Sequence, residues 1–163
     1  MKRKSEFYAI DLFAGCGGLS EGFTQAGFEV IAQVEMDKWA CETLKTRHMY
    51  YGLKEIKRGY LYNEYLKESI GKEEILYRFE EIGKSISYRV IRATLGSDEK
   101  SGVLEKIEST RKYHRAPKFH VLLGGPPCQP YSLAGRARDP WRMENDERHF
   151  LYKHYLEILE SLQ

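Results

Sequence analysis

Phe7-Tyr8-Ala9-Ile10-Asp11-Leu12 runs directly into Phe13-Ala14-Gly15-Cys16-Gly17-Gly18, and the order of these two pieces decides the fold. The first six residues form a short, mostly apolar run, which predicts a buried strand. The next six form a glycine-rich turn. After it Leu19, Phe23 and Ala26 recur at helical spacing, and Gly27 stands where a helix ends on a left-handed glycine. A strand, a glycine turn and a helix make the first unit of a nucleotide-type α/β fold. The glycines let the backbone pass close to a ligand that a Cβ would push away.

A second unit follows. Glu29 to Val34 reads as a strand and ends in Glu35-Met36-Asp37. An acidic residue about 20 positions beyond such a turn is placed to bond a ribose hydroxyl pair. Glu35 is the better candidate for that bond, because Asp37 also suits the N-cap of the next helix, with Trp39, Ala40 and Leu44 as its inward positions. The turn lacks the third glycine of the dinucleotide pattern, and the phosphate-binding Lys-Ser/Thr pair is absent. A nucleoside cofactor without phosphates fits: S-adenosylmethionine.

Further along, Leu53, Ile56 and Tyr60, then Ile75, Leu76, Phe79 and Ile82, predict amphipathic helices within a segment of about 49–87 rich in Lys, Glu and Tyr. Tyr88 to Gly96 predicts a third strand, and Val103, Leu104 and Ile107 the next helix. A fourth strand, Phe119 to Leu123, is stopped by Gly124-Gly125-Pro126-Pro127-Cys128-Gln129-Pro130-Tyr131-Ser132. The two prolines stiffen the bend. Cys128 is thereby offered at the carboxyl end of a strand, where open α/β sheets place their chemistry. A doubly wound chain would set the four strands in the order 3-2-1-4. Beyond Cys128, Arg136, Arg138, Arg142 and Arg148 are balanced by Asp139, Glu144, Asp146 and Glu147, and Phe150, Leu151, Leu156, Leu159 and Leu162 mark a last helix.

Composition narrows the class. With 163 residues, 42% hydrophobic and 31% charged, the chain has the size and balance of one globular domain. Its net charge of +2 carries no nucleic-acid signal by itself. Cys16, Cys41 and Cys128 are odd in number and far apart, which favours a reducing compartment over a disulfide framework. No Cys or His pair has metal-ligand spacing, no apolar run reaches membrane length, and the basic opening is not followed by an apolar signal core. The expected location is the cytoplasm.

Asp11 to Ser20 resembles the cofactor motif of the cytosine-5 DNA methyltransferases, Val34-Glu35-Met36-Asp37 resembles their second motif, and Gly124 to Ser132 resembles their Pro-Cys-Gln nucleophile motif. The resemblance covers about residues 6–48 and 88–160. It implies an α/β, Rossmann-like fold dependent on S-adenosyl-L-methionine. It also implies Cys128 as the nucleophile that attacks cytosine C6. Phe13, Gly15, Cys16, Gly17, Gly18, Leu19, Glu35, Met36 and Pro127 become cofactor contacts. Gln129, Ser132, Arg136 and Arg138 become contacts to double-stranded DNA with its target cytosine flipped out, and no metal is implied.

The family protonates cytosine N3 with the glutamate of a Glu-Asn-Val motif on the strand after the last helix here, and that motif is not found. Glu144-Asn145 precedes the helix. The Arg-x-Arg motif and the target-recognition region are missing as well, and Thr94, Leu95 and Gly96 stand where the family often has an aspartate. Residues 1–163 are therefore expected to be the N-terminal part of one catalytic domain, truncated after about four strands, with a helical insertion at about 49–87. The chain is then a fragment or half of a split enzyme, completed by a second chain. The tRNA-modifying branch of the family and a non-catalytic cofactor-binding remnant stand as alternatives.

Overall fold

A computed structural model describes residues 6–95, 100–127 and 150–162, and the structural statements below concern those residues. In chain order they form β1 (Tyr8–Leu12), α1 (Gly18–Gln25), β2 (Glu29–Glu35), α2 (Lys38–Glu55), α3 (Tyr60–Leu66), α4 (Lys72–Arg78), α5 (Glu80–Arg89), β3 (Val90–Arg92), α6 (Lys100–Tyr113), β4 (Val121–Gly124) and α7 (Leu151–Ser161). The strands make one parallel sheet in the order β3-β2-β1-β4, the doubly wound order expected. Parallel strands are joined by helical crossovers that cover both faces, so a central strand is buried on either side. β1 is buried at all five positions.

On one face Ile10, Leu12, Ala32, Val34 and Ile91 pack against Val103 and Ile107 of α6 and Ile158 of α7. On the other, α2 contributes Cys41, Leu44, Met49 and Leu53 to a second core with Leu61, Ile75, Ile82, Ile86 and Val90. Phe23 of α1 and Phe28 close over Ala9, Val30 and Leu123. Each fully buried Leu or Ile contributes about 1.5–3 kcal/mol of transfer free energy. The register of β1 on β2 shifts between Ala9 and Ile10: Ala9 pairs with Val30 but Ile10 with Ala32, leaving Ile31 as one extra residue. Beyond that bulge Asp11 pairs with Gln33 and Leu12 with Val34.

Several expectations need correction. The third strand starts at Val90, because Tyr88 and Arg89 belong to the last turn of α5. Arg89 is held there by bonds from its guanidinium to the Val30 carbonyl at 2.8 Å and to Glu29 at 2.7 Å. Trp39 does not face inward: it is 71% exposed, because the buried stripe of α2 starts at Cys41 and continues through Leu44. On α1 the buried residue is Ser20, while Leu19 and Ala26 are exposed. On α7 the inward residue is Ile158, and Leu156 and Leu159 lie exposed. Across about 49–87 the chain runs through α2, unbroken to Glu55, and then α3, α4 and α5. α5 crosses α2 at Gly52, where a Cβ would stand 3.0 Å from Ile82.

Candidate active site

Parallel strands end together, so the glycine turn after β1, the acidic end of β2 and the bend after β4 share one edge of the sheet. The pairing of Leu12 with both Val34 and Gly124 fixes that alignment. The turn is an unusual piece of backbone. Phe13, Gly15 and Gly17 all have positive φ, at 58°, 53° and 83°. A bulky residue such as Phe13 pays about 1–3 kcal/mol for that conformation, which persists only where the surroundings enforce it. Here Ala14 N–H donates to the Val34 carbonyl at 3.1 Å and Gly17 N–H to the Ala14 carbonyl at 2.9 Å.

Glu35 enforces the turn from β2. One of its carboxylate oxygens accepts the Gly15 N–H at 2.7 Å, and the other accepts the Asp37 N–H at 2.8 Å. Charge-assisted bonds of this kind are roughly twice as strong as neutral ones. A Cβ on Gly15 or Gly18 would meet nothing within 4 Å, so the backbone there borders open space. Around it Cys16, Leu19 and Met36 are exposed, and Phe13 is half-buried against the main core. The structure thus brings Phe13, Gly15, Cys16, Gly17, Gly18, Leu19, Glu35 and Met36 into one neighbourhood. Asp37 also takes its expected place, capping α2 by accepting the Ala40 N–H at 2.7 Å.

β4 is delivered to the same edge under tight constraint. A Cβ on Gly124 would lie 2.6 Å from the Leu12 carbonyl and 3.0 Å from the Tyr155 ring, so only glycine fits. Tyr155 on α7 donates its hydroxyl to the Leu122 carbonyl at 2.7 Å. Pro126 and Pro127 follow, both partly buried. Cys128, Gln129, Ser132, Arg136 and Arg138 lie outside the described residues. Cys41 is buried and its thiol donates to the Glu35 carbonyl at 3.4 Å; burial pushes its pKa up, so it is a packing residue.

Sequence reading missed a buried polar row behind the turn. Asp11 on β1 accepts the Ser20 hydroxyl at 2.5 Å, Ser20 accepts the Gln33 amide at 2.7 Å, and the Gln33 oxygen faces His48 Nε2 on α2 at 2.6 Å. Burial raises the Asp11 carboxyl above its usual range, and the hydrogen bond from the Ser20 hydroxyl pulls against that rise. Burial and the neighbouring Arg89, His114 and Arg47 lower His48 to about 3, so its ring is neutral. The available signal was a charged residue inside an otherwise apolar strand. Among the described residues no group of His, Cys, Asp and Glu is arranged to hold a metal, and no helix is long and apolar enough to cross a membrane.

Comparison with known proteins bears on the same residues. The C-5 cytosine-specific DNA methylase family matches residues 7–70 and 74–163. The type II methyltransferase M.Bpa9945I of Bacillus paralicheniformis is 35% identical over 94% of this chain and 38% of its own length. M.BsuRI of Bacillus subtilis is 28% identical over 99% of this chain and 30% of its own length, and M.FnuDI of Fusobacterium nucleatum 27% identical over 94% and 29%. The chain therefore spans less than two fifths of the length of each of these relatives. The matched stretches contain the glycine turn, Glu35 and the Gly124–Ser132 segment together, and the chain belongs to the C-5 cytosine-specific DNA methylase family.

Proposed function

We propose that this chain is the cofactor-binding and nucleophile-bearing part of a DNA cytosine-5 methyltransferase of the restriction-modification kind. The observation that carries the reading is the Glu35 carboxylate locked onto the Gly15 N–H, beside open backbone at Gly15 and Gly18 and on the edge where β4 ends three residues before Pro127. These residues fit S-adenosylmethionine. Phe13, Leu19 and Met36 offer apolar surface for an adenine ring, Glu35 offers a carboxylate for ribose hydroxyls, and the glycine turn leaves room for the amino acid portion. When bound, that cofactor supplies an electrophilic methyl group.

Cytosine C5 is too weak a nucleophile to be methylated unaided. The Cys128 thiolate forms a bond to C6, and the electron pair of the C5–C6 double bond moves to give C5 enamine character. After C5 is methylated, the C5 proton leaves to a base, the pair re-forms the double bond, and the thiolate departs. One hard step becomes two easier ones. The target base must leave the duplex stack first, with Gln129, Ser132, Arg136 and Arg138 contacting the DNA around it. The glutamate for cytosine N3 and the target-recognition region come from sequence beyond these residues, on the same polypeptide or a second one.

Calorimetric titration of the purified chain with S-adenosylmethionine tests the cofactor half and is expected to show one site. Duplex DNA carrying 5-fluorocytosine tests the rest in the completed enzyme. Fluorine cannot leave C5 as a cation, so a Cys128–DNA adduct should persist and be absent from Cys128→Ser. A completed enzyme that methylates DNA with Cys128→Ser would overturn the covalent mechanism.

A further inference from the structure

The buried row behind the glycine turn has a fixed polarity. Asp11 is 1% exposed and accepts the Ser20 hydroxyl. The Ser20 oxygen must then accept, which turns the Gln33 NH2 toward it and the Gln33 oxygen toward His48. His48 must therefore carry its proton on Nε2. Every donor points toward Asp11, and each of the three bonds is 2.7 Å or shorter.

The row also does what the turn cannot do for itself. α1 starts after Gly17, which has no side chain to cap it, and Asp11 accepts the hydroxyl of Ser20 in the first turn. Gln33 lies directly beneath: a Cβ on Gly17 would come within 3.5 Å of its amide nitrogen. Asp11 and Gln33 are register partners on adjacent strands, so their side chains share the face covered by α1 and α2. A core needs no such row for stability, since apolar side chains of similar volume often pack as well.

We propose that Asp11, Ser20, Gln33 and His48 are positioning residues that hold the glycine turn in its left-handed shape, and that cofactor affinity therefore depends on Gln33 and His48, which do not touch the cofactor. This rests on the cofactor reading above. The row links the turn to α2, so a side chain on the second helix controls the geometry at Gly15 to Gly18.

The experiment uses the purified chain with Gln33→Met, which keeps length and removes both bonds, and the pair His48→Leu and His48→Gln, of which only the second keeps an N–H donor. Two measurements are made well below each melting temperature: the S-adenosylmethionine Kd, and amide hydrogen exchange at Gly15–Ser20 without cofactor, with α4 as internal reference. Gln33→Met is expected to weaken binding about tenfold and His48→Leu about fivefold, the loss of one to two hydrogen bonds, with His48→Gln close to the parent. Exchange at the turn should speed up in the same order while α4 stays unchanged. Unchanged exchange at the turn in folded variants, or equal acceleration at α4, overturns the proposal. If Gln33→Met does not fold, the His48 pair decides. If the parent chain binds no S-adenosylmethionine, the cofactor reading fails, and exchange at the turn alone decides whether the row positions it.

Discussion

Leu44 on α2 presses on Gly17 of the turn: its Cδ2 lies 2.7 Å from where a Cβ on Gly17 would stand. The Gly17 φ of 83° adds a second penalty for any L side chain. Gly17→Ala is therefore expected to lose about 2 kcal/mol or more, of which left-handed strain supplies about 1–2. Gly22→Ala is the control, because a Cβ there meets nothing within 4 Å in the middle of α1. It should stabilise by about 0.5–1 kcal/mol. Urea unfolding of both variants checks this, and equal midpoints would contradict it.

Glu35→Ala removes the acceptor for Gly15 and Asp37 N–H together with the proposed ribose contact. S-adenosylmethionine affinity is expected to fall by about 1–3 kcal/mol, the size of a lost charge-assisted bond. An unchanged dissociation constant in calorimetry would remove Glu35 from the site.

Acid should destabilise the fold well above the carboxylate range. Burial lowers His48 to about 3, and burial and Arg89 lower His114 to about 3, against an ordinary value of 6.5. Between those values the unfolded chain binds protons at both rings and the folded chain does not, so stability falls as pH drops below about 6.5. The slope reaches up to about 1.4 kcal/mol per pH unit per ring. His114 Nδ1 faces the Arg89 guanidinium at 3.3 Å, which leaves the buried Nε2 without a partner among the described residues. His114→Phe should flatten the slope by about half its value, as one of two such rings is removed. Urea midpoints at pH 7.5 and 5.0 that coincide in the parent would refute this.

The two described cysteines should behave oppositely toward a thiol reagent. Cys16 is exposed on the turn and Cys41 is buried with a raised pKa. Iodoacetamide should label Cys16 in the native chain and Cys41 only after unfolding. Alanine at either is expected to leave activity of the completed enzyme within about threefold, since neither is placed for thiolate chemistry. A loss as complete as that of Cys128→Ser would show the thiol assignment to be wrong.

The sheet order was legible because each strand is followed by its turn or cap within a few residues. Gly27 and Asp37 mark boundaries by backbone requirements that are local. Trp39 and the start of β3 were misread for the opposite reason. Period alone does not say where a buried stripe begins, and Arg89 joins α5 through bonds to β2, about 60 residues back. Glu35 was singled out as a ligand contact, yet its visible partners are backbone N–H groups. The Asp11–His48 row was invisible because its members come from four elements. Gln33 joins them only through an irregular register.

That irregular register governs where this chain tolerates loss of a residue. In a regular strand Val30 and Gln33, three apart, face opposite ways. The extra Ile31 lets both share the face of Ala9 and Asp11. Excising Ile31 would give an uninterrupted ladder with every later partner unchanged, at the expense of one buried side chain. Excising Val34 instead would swing Glu35 to the opposite face and detach it from Gly15. β2 thus has one position at which length variation is silent for the cofactor edge, and the residues after it have none.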